Sequence, residues 1–285
     1  MSINTAISKW IEKSEPDFYT LFIKAWIPYN SWYMHNFYDE DATPKRTSDK
    51  DIIGYIKTNS NVYKDKIITL LRNNDDESNN FKLLISNLYY QLENTPIPNV
   101  NERISFNSIC ISDNTNSNGP LTISESDFAV TGKKDISLPR ASARWIFEIN
   151  DTRTRTTRTI SRISLMKCSL TELRTNNDFN SLANKYKSSV EKCLNEIDPN
   201  KKISVMIPPD RRRGKYVEPQ HSICIDTNKN LYFTDNLEDV SKSIIQILYE
   251  LRCKLFHGEI EPSDTNLGVF EQAFYIQRVL IKALR

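Results

Sequence analysis

The chain has 285 residues, with 38 Lys+Arg against 36 Asp+Glu, 39% hydrophobic and 26% charged, a profile that excludes disordered, fibrous and collagenous proteins. A net charge of +2 is too mild to announce a nucleic-acid partner, so any electrostatic argument rests on where the charges lie. The 6 glycines leave little material for phosphate-cradling loops, and neither G-x-x-x-x-G-K-[ST] nor G-x-G-x-x-G occurs, which excludes P-loop nucleotidases and dinucleotide-binding dehydrogenases at motif level.

From Asp17 onward, Phe18, Phe22, Ala25, Trp26, Tyr29 and Tyr33 recur at helical spacing and predict an aromatic-faced helix that Pro28 should kink. Ile52, Ile53, Ile56, Val62, Ile67, Ile68 and Leu71 predict one or two helical pieces broken near Thr58 to Asn61. Phe81, Leu84, Ile85, Leu88 and Gln91 predict another. The Pro- and Asn-rich stretch from Glu93 to Asn101 stops helix and reads as a boundary.

The middle of the chain changes character. Ile104, Phe106, Ile109 and Ile111 form a strand-like run, as do Trp145 to Ile149 and Ile203 to Ile207. Ser222 to Asp226 and Leu231 to Thr234 flank a Thr-Asn-Lys-Asn turn and predict a hairpin. One helix interrupts these strands, with Phe179, Leu182, Tyr186, Val190, Cys193 and Ile197 on one face.

Helix returns after Asn236, an N-cap residue type, with Val240, Ile244, Ile247, Leu248, Leu251 and Leu255 on one stripe and Gly258 as its stop. Pro262 and Ser263 open a last helix carrying Val269, Ala273, Ile276, Leu280 and Leu284 inward. The expected class is mainly α: a bundle of N-terminal (1–95) and C-terminal (236–285) helices, interrupted by an α+β insertion over 96–235.

The five cysteines, Cys110, Cys168, Cys193, Cys224 and Cys253, are scattered and never form C-x-x-C, and His35, His221 and His257 lack zinc-ligand spacing. No metal and no cofactor is expected. Without a basic-then-apolar leader or an apolar run near the roughly 18 to 20 residues of a membrane span, the expectation is a reduced, cytoplasmic protein off the membrane.

The chemistry-bearing stretch is Leu248 to Glu259. There Arg252, a permanently charged guanidinium, and His257, an imidazole, lie five residues apart at the end of an apolar-striped helix. Cleaving a phosphodiester without metal needs both types: arginine binds two phosphate oxygens at once, and histidine takes or gives a proton near neutral pH. Five residues rotate a side chain by about 140° along an ideal helix, so the two do not share a face of one chain.

This stretch resembles the HEPN superfamily of ribonucleases and nucleotide-binding proteins, whose signature is Arg, four to six residues, then His near a helix end. Arg252 and His257 fit with four residues between them, and the aromatic run from Phe22 to Tyr33 is similar to the opening helix of many bacterial members. Where the family commonly has a polar residue after the arginine, this chain has Cys253. The resemblance covers the outer helices and implies a HEPN-like bundle. It further implies a homodimer with two Arg and two His around one phosphate, and a metal-independent endoribonuclease acting as a bacterial toxin or antiphage effector with an antitoxin or regulatory protein as partner. The alternative is a non-catalytic HEPN module that binds RNA, nucleotide or a partner protein.

Other basic residues are candidates for holding the RNA partner: Lys254 beside the motif, Arg153 and Arg155 in a Thr/Arg run, and Arg211, Arg212 and Arg213 in a loop-like cluster beside Tyr216. His221, ahead of a strand, reads as a partly buried histidine, and His35 as a packing residue.

Overall fold

The computed structural model describes residues 17–98, 103–111, 120–135, 144–153, 158–198, 201–212 and 214–285. In chain order come α1 (Phe18–Phe37), α2 (Asp49–Thr58), α3 (Val62–Arg72), α4 (Asp76–Asn94), β1 (Ile109–Cys110), β2 (Leu121–Ser124), β3 (Phe128–Asp135), β4 (Arg144–Asp151) and β5 (Arg158–Leu165). There follow α5 (Leu170–Thr175), α6 (Asn177–Asn180), α7 (Asn184–Ile197), β6 (Lys202–Ile203), β7 (Met206–Ile207), β8 (Asp210–Arg212) and β9 (Lys215–Val217). The chain closes with β10 (Ser222–Asp226), β11 (Leu231–Thr234), α8 (Leu237–Phe256), α9 (Asp264–Leu280) and a 3-10 turn over Ile281–Leu284. Among the described residues about 52% is helix and 22% strand, so the class is mixed α/β rather than the mainly α one expected. The strands of the middle region make the difference.

Two compact units form: residues up to Ile111 together with Lys202–Arg285, and Ser112–Lys201. The inner unit lies within the stretch read as an insertion. Residues on either side of it, among them Ile104, Phe106, Ile109, Val205, Ile225 and Phe233, are buried in one core with the helices.

In the helical unit, α1 starts where the Asp17 carboxylate accepts the N–H groups of Tyr19 and Thr20, two of the donors a helix start leaves unpaired. It runs unbroken through Pro28. The proline costs roughly 3 kcal/mol, whereas each aromatic side chain buried along α1 contributes about 1.5–3 kcal/mol. Phe18, Phe22, Trp26, Tyr29 and Tyr33 are all buried, so burial wins. Much of that face meets α9, where Phe22 and Tyr19 pack on Phe270 at ring separations of 5.6 and 4.9 Å.

The remaining helices start on side-chain caps: Ser48 for α2, Asn61 for α3, Asp75 for α4, Asn236 for α8 and Ser263 for α9. Helix α8 packs on α2 and α3, and α9 on α1 and α4. Around them lie the antiparallel pair β1–β6, the sheet β10–β11–β7 and the hairpin β8–β9. The expected hairpin is β10–β11, with a register shift between Cys224 and Asp226. The strand-like run from Ile104 to Ile111 contributes only β1 to a sheet, because Phe106 turns into the core instead.

The inner unit is an antiparallel meander, β2–β3–β4–β5, covered on one face by α7. Phe128, Val130, Trp145, Phe147, Ile149, Ile163 and Leu165 meet Val190, Cys193, Leu194 and Ile197 of α7 in an apolar core. The helix expected from Phe179 to Ile197 divides at Ser181–Ala183 into α6 and α7. Gly132 is required by space: a Cβ there would lie 2.9 Å from both Cys193 Sγ and Phe147.

Candidate active site at the end of helix α8

Helix α8 ends in a Schellman arrangement, with the Gly258 N–H donating to Leu255 and the Glu259 N–H to Lys254. Gly258 sits at φ +66 with nothing within 4 Å of a would-be Cβ, so the glycine serves backbone conformation rather than close packing. His257 is the C-cap residue. Its imidazole is exposed and makes no hydrogen bond among the described residues.

Arg252 stands on the inner side of the same helix end. Its Nη2 pairs with Asp49 Oδ2 at 2.8 Å, and the guanidinium lies over the Phe256 ring, 4.4 Å from its centroid. Asp49 is the first residue of α2, where a carboxylate is favoured by the helix start. Its other oxygen accepts the Tyr33 hydroxyl at 2.9 Å, and that hydroxyl accepts the Asn30 amide. A chain Asn30–Tyr33–Asp49–Arg252 thus joins α1, α2 and α8. Burial pushes the Tyr33 hydroxyl up to about 12 and raises that of Tyr249, one turn before Cys253, so both stay protonated donors across the neutral range.

The guanidinium keeps unused donor capacity. Arg252 Nε is buried without a hydrogen-bond partner among the described residues, and Nη1 has only the Cys253 sulfur at 4.0 Å. The Arg252 guanidinium contacts Asp49 and the Phe256 ring and not His257, in keeping with the 140° between the two positions on an ideal helix.

The other predicted contacts separate. Lys254 is buried and paired with Glu259, because position 254 points into the helix packing, so it is not a free phosphate ligand. Arg153 closes on Asp151 through Nε and Nη2, and this pairing holds the Asp151 carboxyl down at about 2. Arg155 and Arg213 lie outside the described residues. Arg211 and Arg212 are exposed on the β8–β9 hairpin, not a loop, with Arg211 5.6 Å from the Tyr216 ring centroid and Arg212 3.7 Å from Asp210.

His221 is exposed rather than partly buried, at φ +56 with Nδ1 3.2 Å from Asp235, and His35 is exposed rather than packed. Sequence reasoning missed Asp49 and Tyr33. The Ser48 cap marks a helix start there, but the pairing with Arg252 depends on α2 lying against α8, which no local pattern encodes.

Among the described residues no three His, Cys, Asp or Glu side chains gather as metal ligands, and no helix is long and apolar enough to cross a membrane. Comparison with protein-family models, with curated proteins and with solved structures finds no match.

Proposed function

We propose that the protein is a metal-independent endoribonuclease on a HEPN-like bundle of N- and C-terminal helices, acting as a homodimer. The observation that carries this reading is the end of α8, which presents a solvent-facing imidazole without a partner and an arginine held by Asp49 with donors to spare. His257 removes the proton of an RNA 2′-OH, which attacks the adjacent phosphorus and expels the 5′-oxygen, and that oxygen takes a proton from water to leave as the 5′-hydroxyl. Arg252 stabilises the charge that builds on the phosphoryl oxygens. The products end in 2′,3′-cyclic phosphate and 5′-OH. Because one helix turns the two side chains apart, a two-fold partner completes the site. RNA cutting of this kind suits a toxin or antiphage effector held in check by an antitoxin or regulatory protein.

A second reading, a non-catalytic module that binds RNA, nucleotide or a partner protein, is favoured by one contact: Asp49 already neutralises Arg252. Incubation of purified protein with total RNA in EDTA separates the two. The nuclease reading expects cleavage with cyclic phosphate ends, lost by at least about a hundredfold in His257→Ala. Intact RNA under these conditions, or cleavage that requires Mg²⁺, sinks it. Heterodimers of His257→Ala with wild type should cut poorly if both histidines serve one phosphate, and retain near half activity if each protomer works alone.

A further inference from the structure

A second feature of the helical unit lies on another face of α1. Trp32, His35 and Asn36 of α1, with Arg278 of α9 and Lys282 and Arg285 after it, line a groove of about 690 Å³, within the roughly 300–1,000 Å³ of ligand sites. Among the described residues no acidic side chain lines it. Among the described residues Arg278, Lys282 and Arg285 have no carboxylate partner, in contrast with the paired cations elsewhere on this unit.

The indole is well anchored for an aromatic at a groove: Trp32 stacks on Tyr29 at 5.9 Å and meets Phe37 edge-on at 5.1 Å, yet stays partly exposed. A rigid aromatic plate beside unpaired cations matches a ligand that carries a flat ring and a phosphate together. Base-on-aromatic stacking supplies one half of that recognition, and charge-assisted bonds to phosphate the other.

We infer that this groove binds a nucleoside phosphate, with the base on Trp32 and the phosphate on Arg278 and Lys282, as one unit of the RNA strand presented to the α8 end. The RNA source rests on the nuclease reading; the groove's chemistry does not.

The test uses the full chain carrying His257→Ala, so that RNA stays intact, titrated with a labelled short single-stranded RNA and separately with AMP. Arg278→Glu with Lys282→Glu should weaken RNA binding by about tenfold or more and lower its salt slope by roughly 1.4, the share of two phosphate contacts on a single strand. Lys167→Glu with Lys192→Glu, the same charge change on exposed residues of the inner unit, should do neither. Trp32→Leu should weaken binding by a further factor of about ten; should it fail to fold, the charge pair at exposed positions still decides. AMP binding with the same sensitivities assigns the groove to free nucleotides as well, and RNA alone to the strand. Unchanged binding by both variants, or a loss of thermal stability with no loss of binding, overturns the proposal. Groove-dependent binding without cleavage by the wild type would leave the groove standing and the nuclease reading refuted, and cleavage insensitive to the groove the reverse.

Discussion

The two units differ in whether they carry charged side chains into their cores. In the helical unit, some polar side chains are carried inside: Lys57 donates to Gln246 at 2.6 Å, buried Lys64 reaches the half-exposed Glu238 at 2.5 Å and Tyr63 donates to Gln277, while Arg252 pairs with Asp49 with both partly exposed. The inner unit has an apolar core of sheet and α7, and keeps its ion pairs on the surface, as in Arg153–Asp151, Lys185–Asp127 and Arg174–Glu191. A buried pair adds little net stability, since desolvation consumes most of the attraction, but it penalises any register that separates the partners. The helical unit spends its packing energy on fixing where α1, α2, α3 and α8 stand relative to one another, and the candidate site is one of the places so fixed. In the inner unit the cations of these three pairs are each at least half exposed, so the pairs fix little.

That contrast can be broken from the core outward. Phe270→Ala removes the ring on which Tyr19 and Phe22 pack and should cost about 3–5 kcal/mol, read as a fall in the denaturation midpoint of the helical unit. A cost under about 1 kcal/mol would show that α1 and α9 hold together by other means.

Asp49→Ala should cost less, about 1–3 kcal/mol, because Arg252 keeps some solvent contact after losing its counter-charge. Its sharper consequence is functional: Arg252 loses its orientation, so RNA cleavage should fall while Asp49→Asn, which can still accept from Tyr33, retains more of it. Equal activity in all three proteins would mark the Asp49–Arg252 pair as structural only.

In the inner unit, Gly132→Ala should cost about 1–3 kcal/mol by forcing α7 away from the sheet at Cys193. The same unit supplies a reactivity test, since burial raises the Cys193 thiol to about 11 and the Cys168 thiol to about 12. Both should resist alkylation near pH 8 in the native chain and become modified on unfolding. Early loss of either would mean that α7 opens readily.

The smallest effect belongs to the surface. Arg153→Ala should return the Asp151 carboxyl from about 2 toward the ordinary range, followed by carbon NMR of the carboxyl. Since the folded value is depressed, the pair's contribution is present above the ordinary carboxylate range and disappears as pH falls through about 2. The variant should therefore lose part of the acid dependence of unfolding and little else. A large drop in neutral-pH stability would contradict the assignment of this pair to the surface.

How much was legible differs by element. The ends of α8 and α9 could be read because caps are local: Asn236, Ser263 and Gly258 each act on a backbone group within a few residues. The continuity of α1 through Pro28 could not, since the local cost of proline is offset by a face of aromatics whose partners lie on α9, far along the chain. Lys254 and Arg153 show the same limit at single residues. A basic side chain reads as free until the fold shows the acid beside it, Glu259 in one case and Asp151 in the other.

By itself the sequence determined which residue types end α8, that Arg252 and His257 fall there five residues apart, and that 3.6 residues per turn set them on different faces. Those are consequences of backbone geometry and nearest-neighbour chemistry. Only the tertiary structure decided that Arg252 is held by Asp49, which Tyr33 in turn anchors, that His257 is left open to solvent, and that Trp32 and Arg278 share one groove. Each of those joins residues far apart in the chain, and burial of apolar surface brings them together without regard to sequence distance.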